Sequence, residues 1–477
     1  MQQHTFLWHD YETFGANTRR DRPAQFAAIR TDAQLNEIGE PIMWYCKPAP
    51  DFLPSPQACL ITGITPQFCL EHGVPEYQFA QKINQAFSQP DTIGVGYNTI
   101  RFDDEITRFM FWRNLIDPYA REWQNRCGRW DILDMLRTTY ALRPEGIFWP
   151  KNEEGRVSFK LEHLCAANGI THEFAHDALS DVRATIALAK LVRDKQPRLF
   201  EFCFSLHKKE KVVAEIGMPE QHPFLHVTGM VPVEQGCLSI VWPLALHPTN
   251  KNEIIVWNLE YDPRELLELN ADKIRTRLFS KATDLPEGVE RLPIKTIHLN
   301  KSPVVIRNWK TLSIQMAEKW GISIETSLKH AEFARTLPDL NAIWENVFRR
   351  DVDIDFDVDQ DLYSGFIGNN DRTILQNLIR YSSEQLVQTT PQFQDKRLDE
   401  LVFRYRARNF SETLTVVETE RWNQLRANRF FGGSGQAITI DDYFAEIDHL
   451  SEGANTRGEE ILAALYDYAE SVVPVRP

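Results

Sequence analysis

Thr5-Phe6-Leu7-Trp8-His9-Asp10-Tyr11-Glu12 begins with β-forming residues and ends on acids, the pattern of a buried strand that carries carboxylates at its end. Residues two apart in a strand point to one face, so Asp10 and Glu12 converge. Alone, the pair is a weak signal and reads more simply as solvated acids at a strand end; two segments downstream change that. Gly96-Tyr97-Asn98-Thr99-Ile100-Arg101-Phe102-Asp103-Asp104-Glu105 follows an apolar stretch at Ile93 to Val95. An Asn turn leading into a helical pattern puts Asp103 at a helix N-terminus, with Asp104 and Glu105 as acids that complement the helix dipole. His176-Asp177-Ala178-Leu179-Ser180-Asp181-Val182 runs into a stretch rich in Ala and Leu that reaches Val192, so Asp181 lies in a helix and His176 on its approach.

Asp10, Glu12, Asp103 and Asp181 form a set able to hold two hard divalent cations, and His176 can take a proton near neutral pH. Hydrolysis of a phosphodiester needs positive charge on the non-bridging oxygens, an activated water and help for the leaving oxygen, which two ions together supply. All-oxygen ligands favour Mg²⁺, with Mn²⁺ as substitute, over Zn²⁺.

These ordered motifs resemble the DEDD superfamily of 3′ to 5′ exonucleases, in the subgroup whose third motif is His-x4-Asp. The resemblance implies that Asp10, Glu12, Asp103 and Asp181 are metal ligands and that His176 is the general base. Leu60-Ile61-Thr62-Gly63-Ile64-Thr65 is similar to the loop these enzymes wedge against terminal bases, which makes Ile61 and Thr62 substrate contacts beside Glu12. Asp21 to Asp32, Tyr140 to Ile147 and Tyr405 to Phe410 extend the likeness from end to end and narrow it to the bacterial exonuclease I family. That family implies a ribonuclease H-like α/β exonuclease domain, a Src-homology-3-like β-barrel domain with helical insertions and an all-α C-terminal domain. It further implies single-stranded DNA as substrate, nucleoside 5′-monophosphates as products, a role in DNA repair and recombination, and a second partner, the acidic C-terminal tip of single-stranded DNA-binding protein, for which Arg143 is a candidate contact. Lys160 matches a basic phosphate-contacting position where the family more typically has Arg; charge is kept and bidentate geometry is not. An RNA-directed exonuclease of the same superfamily and a DNA-binding scaffold without activity are the alternatives. The large additional domains weigh against the first and the complete acid set against the second.

With 477 residues the chain is too long for one core. The divisions fall at 1–195, 196–350 and 351–477: the nuclease helix closes at Lys195-Gln196-Pro197, and short strands follow at 225–230, 237–242, 253–259 and 303–306, with a helical insertion at 263–279. Helical periodicity then runs to the end. Asp351-Val352-Asp353-Ile354-Asp355-Phe356-Asp357-Val358-Asp359-Gln360-Asp361 superficially resembles a calcium loop but lacks its Gly and Glu, and reads as an extended acidic segment. Arg404, Arg406 and Arg408 read as a basic edge.

The formal charge of −14 is unusual for a nucleic-acid binder, yet net charge is not local field. Eight arginines from Arg101 to Arg143 interleave with aromatics, as binding to single strands requires. Arg108, Tyr119 and Trp123 are the preferred contacts there. No apolar stretch is long enough to span a membrane. The seven cysteines are scattered with no C-x-x-C, as in a reducing cytoplasm; a monomer is expected.

Overall fold

The structure, a computed structural model, describes residues 4–172, 177–218, 220–349 and 356–475. These form two compact units, the first drawn from 1–128, 173–183 and 354–477, the second from 129–172 and 184–353.

The first unit is built on β1 (Thr5–Thr13), β2 (Pro23–Thr31), β3 (Ile42–Tyr45) and β4 (Thr92–Gly96), hydrogen-bonded in the order β3-β2-β1-β4. β1 runs antiparallel to β2, with Asp10 opposite Ala27 and Glu12 opposite Gln25, and parallel to β4, with Trp8 opposite Val95. β1 and β2 are buried almost throughout, as central strands covered on both faces must be. Gly96 closes β4 because a β-carbon there would stand 2.8 Å from the His9 carbonyl and 2.1 Å from Thr99. That close approach lets the next turn, with Asn98 at φ 64°, deliver Asp103 to the start of helix Asp103–Arg113.

The helices after 356 belong to the same unit. Phe14, Cys59 and Cys69 share one apolar core with Phe430, Tyr443, Leu465 and Tyr468. Phe109 and Trp112 share another with Leu375, Leu398 and Tyr405.

Two expectations change here. The acidic segment, where described, is not extended. Val358–Gln360 is a 3₁₀ turn with Asp359 only 3 % exposed. Nor is there a basic edge: Arg404 donates to Asp357 at 2.7 Å and to Asp359 at 3.0 Å, Arg408 to Asp359 at 2.9 Å and Asp51 at 3.0 Å, and Arg429 to Asp359 at 2.6 Å and to Asp51. Arg406 pairs with Glu418 at 2.7 Å. Three guanidinium groups and three carboxylates thus neutralise one another out of water. The arginines hold Asp359 well below the ordinary carboxylate range despite its burial.

The second unit carries β6 (Phe224–Val227), β7 (Leu238–Leu246), β8 (Glu253–Asn258), β9 (Ile294–His298) and β10 (Val304–Ile306), after β5 (Gly128–Asp131). They form an antiparallel sheet in the order β10-β6-β7-β8-β9, with Pro243 at a bulge, where a residue lacking N–H is tolerated. β9 was not anticipated, since Lys295 and Thr296 break its apolar pattern. The insertion expected at 263–279 is a 3₁₀ turn, Pro263–Glu268, and helix Ala271–Phe279.

Asp359→Asn leaves three guanidinium groups short of one counter-charge in a buried site, a change that costs about 3–5 kcal/mol. Urea unfolding checks it. Because Asp359 is depressed in the folded state, its contribution is present above the ordinary carboxylate range and lost as pH falls through its lowered value, so variant and wild type should converge in strong acid.

Candidate active site

Asp10 and Glu12 leave the same face of β1, and helix Ala178–Lys195 brings Asp181 to them. One ligand oxygen from each of the three lies within 4.8 Å of the others. The Asp177 carboxylate accepts from the Ser180 N–H at 3.0 Å and so caps the helix that presents Asp181. Asp103 joins from its own helix: its Oδ1 accepts the Tyr11 N–H at 3.0 Å, which pins this carboxylate to the backbone between Asp10 and Glu12.

The electrostatics are those of a site built for cations. Burial pushes Asp10 well above the ordinary carboxylate range, and Asp103 and Asp181 raise it further. Glu12 is pushed up to about 9, first by burial and then by Asp10, Asp181 and Asp177. Like charges gathered out of water cannot all ionise unaided. The donor set, carboxylate oxygens without sulfur, fits a hard divalent ion.

Beneath this cluster lies a layer that the motifs do not signal. Asp104, expected to serve the helix dipole, is 1 % exposed and pairs with Arg121 at 2.5 Å. Thr107 donates to the Tyr11 hydroxyl at 3.0 Å, and the His9 ring packs edge-on against Phe87 at 4.9 Å, its basicity lowered to about 4 by burial.

The other candidates scatter. His176 lies outside the described residues. Ile61 is 52 % exposed at the end of helix Pro56–Thr62, where Thr62 accepts from the Ile64 N–H at 3.2 Å and Gly63 caps at φ 70°. Arg108 is a correction to the expected strand path: it is 5 % exposed, forked onto Glu122 at 2.7 and 2.9 Å and bonded to Glu105 at 2.9 Å. Tyr119 is covered by that guanidinium at 5.1 Å, and the turn after it leaves Trp123 64 % exposed. Arg113 and Arg121 are also buried, so the interleaved arginines and aromatics are in good part core. In the second unit Lys160 is exposed before helix Leu161–Ala167, 3.9 Å from Glu162. Arg143 is exposed after helix Leu133–Leu142 and donates to the Thr311 carbonyl at 3.3 Å.

Family models match along the chain in order: "Exonuclease" at residues 7–189, "Exonuclease I SH3-like domain" at 207–350 and "Exonuclease I C-terminal domain" at 356–472. Exodeoxyribonuclease I of Escherichia coli is 44 % identical over 476 residues, 99 % of each chain. The chain belongs to the exodeoxyribonuclease I family. Among solved structures, exonuclease I of Methylocaldum szegediense superposes with a TM-score of 0.94 at 46 % identity, covering 98 % of this chain and 100 % of that one. E. coli exonuclease I in complex with a dA16 oligonucleotide gives 0.93 at 44 %, covering 99 % and 100 %. The chain is therefore an exonuclease, with the α/β exonuclease, SH3-like and C-terminal regions in the order expected.

The raised carboxyl pKa values give a sign that can be checked. A carboxyl raised on folding supports the fold while protonated and loses that support as pH rises through its folded value. In metal-free protein at pH 9, Glu12→Gln should raise the thermal midpoint by about 1–4 °C; at pH 4 the variant should match wild type.

Proposed function

We propose that this exonuclease digests single-stranded DNA from its 3′ end, releasing nucleoside 5′-monophosphates, with Asp10, Glu12, Asp103 and Asp181 as ligands for two Mg²⁺ ions. The observation that carries the reading is the convergence of Asp10, Glu12 and Asp181 within 4.8 Å, where burial and mutual repulsion push Asp10 and Glu12 above the ordinary carboxylate range. Bound there, two divalent cations supply charge for the non-bridging phosphate oxygens and make water a better nucleophile. Glu12 and Asp10 must first give up the protons that burial favours, so cation binding releases protons and strengthens as pH rises towards about 9. His176 takes the proton of the attacking water. Asp103, held by the Tyr11 N–H, keeps its carboxylate in place without a rotameric search.

Substrate class is supported by the E. coli relative, which has been solved with dA16 and dT13 oligonucleotides; a zinc-bound form of its complex supports divalent-ion dependence. Ile61 and Thr62 serve as the wedge against the terminal bases, with Trp123 and Lys160 as further contacts. Tyr119 and Arg108 act only indirectly, by shaping the turn that exposes Trp123. An SSB/exonuclease I structure supports a protein partner. Arg143 and Arg198 stand at the rim of a cavity of about 530 Å³ floored by Leu142, Phe202 and Ile306, suited to an acidic peptide end with an apolar residue. A cytoplasmic monomer acting in DNA repair and recombination completes the reading; all seven cysteines are free and buried.

Strands of DNA and RNA, labelled at either end, decide the reading. With Mg²⁺, 3′ label on DNA should appear at once as nucleoside 5′-monophosphate while 5′-labelled strand shortens gradually, and RNA should be cut far more slowly. His176→Ala should lower the single-turnover rate by about 10²–10⁴ without lowering the thermal midpoint. Immediate loss of 5′ label, or equal turnover of RNA, contradicts the proposal.

A further inference from the structure

We propose that a cavity in the first unit, bounded by Arg22, Lys47, Glu76, Arg113 and Arg408, binds a tetrahedral oxyanion, the phosphate or sulfate group. It is about 270 Å³ in volume and walled by Pro48, Pro50 and Pro75, whose fixed φ angles pre-organise it. Arg22 and Arg408 come from the segments Asp21 to Asp32 and Tyr405 to Phe410, which the proposed chemistry leaves unused.

The argument rests on hydrogen-bond and charge accounting. The side chains of Arg22 and Arg113 are 4 % and 1 % exposed. Among the described residues, Arg22 Nε and Nη1 are buried and make no hydrogen bond, and Arg113 Nη2 makes none although it stands 3.1 Å from Glu76 Oε1. Leaving charged donors so is costly, and such groups are normally satisfied by a partner. The one carboxylate in the cavity is Glu76, and it is largely spent: Oε1 accepts from Arg113 Nε and Asn114 Nδ2, each at 3.1 Å, while Oε2 is 3.6 Å from Arg22 Nη1, beyond good hydrogen-bond length. Asp359 lies 4.0 Å from Arg22 Nη2 but already serves Arg404, Arg408 and Arg429.

That neighbouring cluster balances three arginines with three aspartates, whereas here two guanidinium groups and the Lys47 ammonium face one carboxylate. Water would supply acceptors but no charge. Chloride would supply charge at one centre only. An oxyanion supplies both, with several acceptors spaced to match guanidinium forks. Bound there, it would complete the counter-charge where helix Arg397–Asn409 meets the segment just before β2 that carries Arg22, and so couple stability of the first unit to anion concentration.

The test uses full-length protein in EDTA, so that the active-site carboxylates recruit no phosphate through a metal. Thermal midpoint is followed as sodium phosphate replaces sodium chloride at constant ionic strength. Phosphate stabilises many proteins non-specifically, so the decision lies in saturation and in the variants. Wild type should give a saturable rise following the binding isotherm. Lys47→Gln, at the half-buried rim, should weaken the apparent affinity about tenfold, Arg22→Met should remove the saturable part, and Glu76→Gln should tighten it. Thymidine 5′-monophosphate in place of phosphate identifies the source: an equal saturable rise means the group is accepted on a nucleotide, and none means the free ion alone. A rise that never saturates, or one identical in wild type and Lys47→Gln, overturns the proposal. Should Arg22→Met fail to fold, Lys47→Gln decides alone.

Discussion

Like-charged carboxylates packed close together are the constraint that organises the first unit. Asp10, Glu12 and Asp181 are within 4.8 Å of one another, and burial and mutual repulsion push Asp10 and Glu12 far from their ordinary acidity. An arrangement of this kind persists only if the scaffold holds it. The β1 register fixes two acids, Gly96 lets β4 approach closely enough to set the Asp103 turn, and the Tyr11 N–H ties Asp103 in place. Beneath, Asp104 and Arg121 close an ion pair of their own, outside the cluster. The proposed metal ions meet a deficit that the fold creates.

The same low dielectric produces the opposite outcome at the Asp51–Asp357–Asp359 cluster. There every carboxylate meets a guanidinium, and Asp51 and Asp359 are held low rather than pushed high. Residues distant in sequence, Asp51 and Arg408 or Arg429, are joined by this balance, which locks the helices after 356 into the unit that carries the carboxylate site. The Arg22 and Arg113 corner next to it is where that balance stops closing.

What the sequence made legible follows from the range of the signals. β1, its two acids, the turn before Asp103 and the helix bearing Asp181 rest on local periodicity and capping chemistry, and all four stand where local reasoning puts them. Arg108, Arg404, Arg408, Asp357 and Asp359 defeated the same reasoning, because a charge looks solvated in sequence until its partner is known. Glu122 is near Arg108, but the partners of Arg408 are 357 and 49 residues away. β9 was hidden for a related reason: only Ile294 and Ile297 are buried, so its pattern is too sparse to read. The acid set proposed to bind metal was legible through its order along the chain, while the supporting Asp104, Arg121 and Thr107 carry no motif.

Manganese binding, read by electron paramagnetic resonance of the free ion alongside single-turnover cleavage of a 3′-labelled DNA oligonucleotide, tests the central claim most directly. With oligonucleotide present, wild type should take up about two ions per chain and cleave only when they are bound. Asp10→Asn should bind fewer and cleave at least about 10²-fold more slowly while staying folded. Full-rate cleavage by wild type in EDTA, or an Asp10→Asn protein that keeps both ions and its rate, would contradict the account.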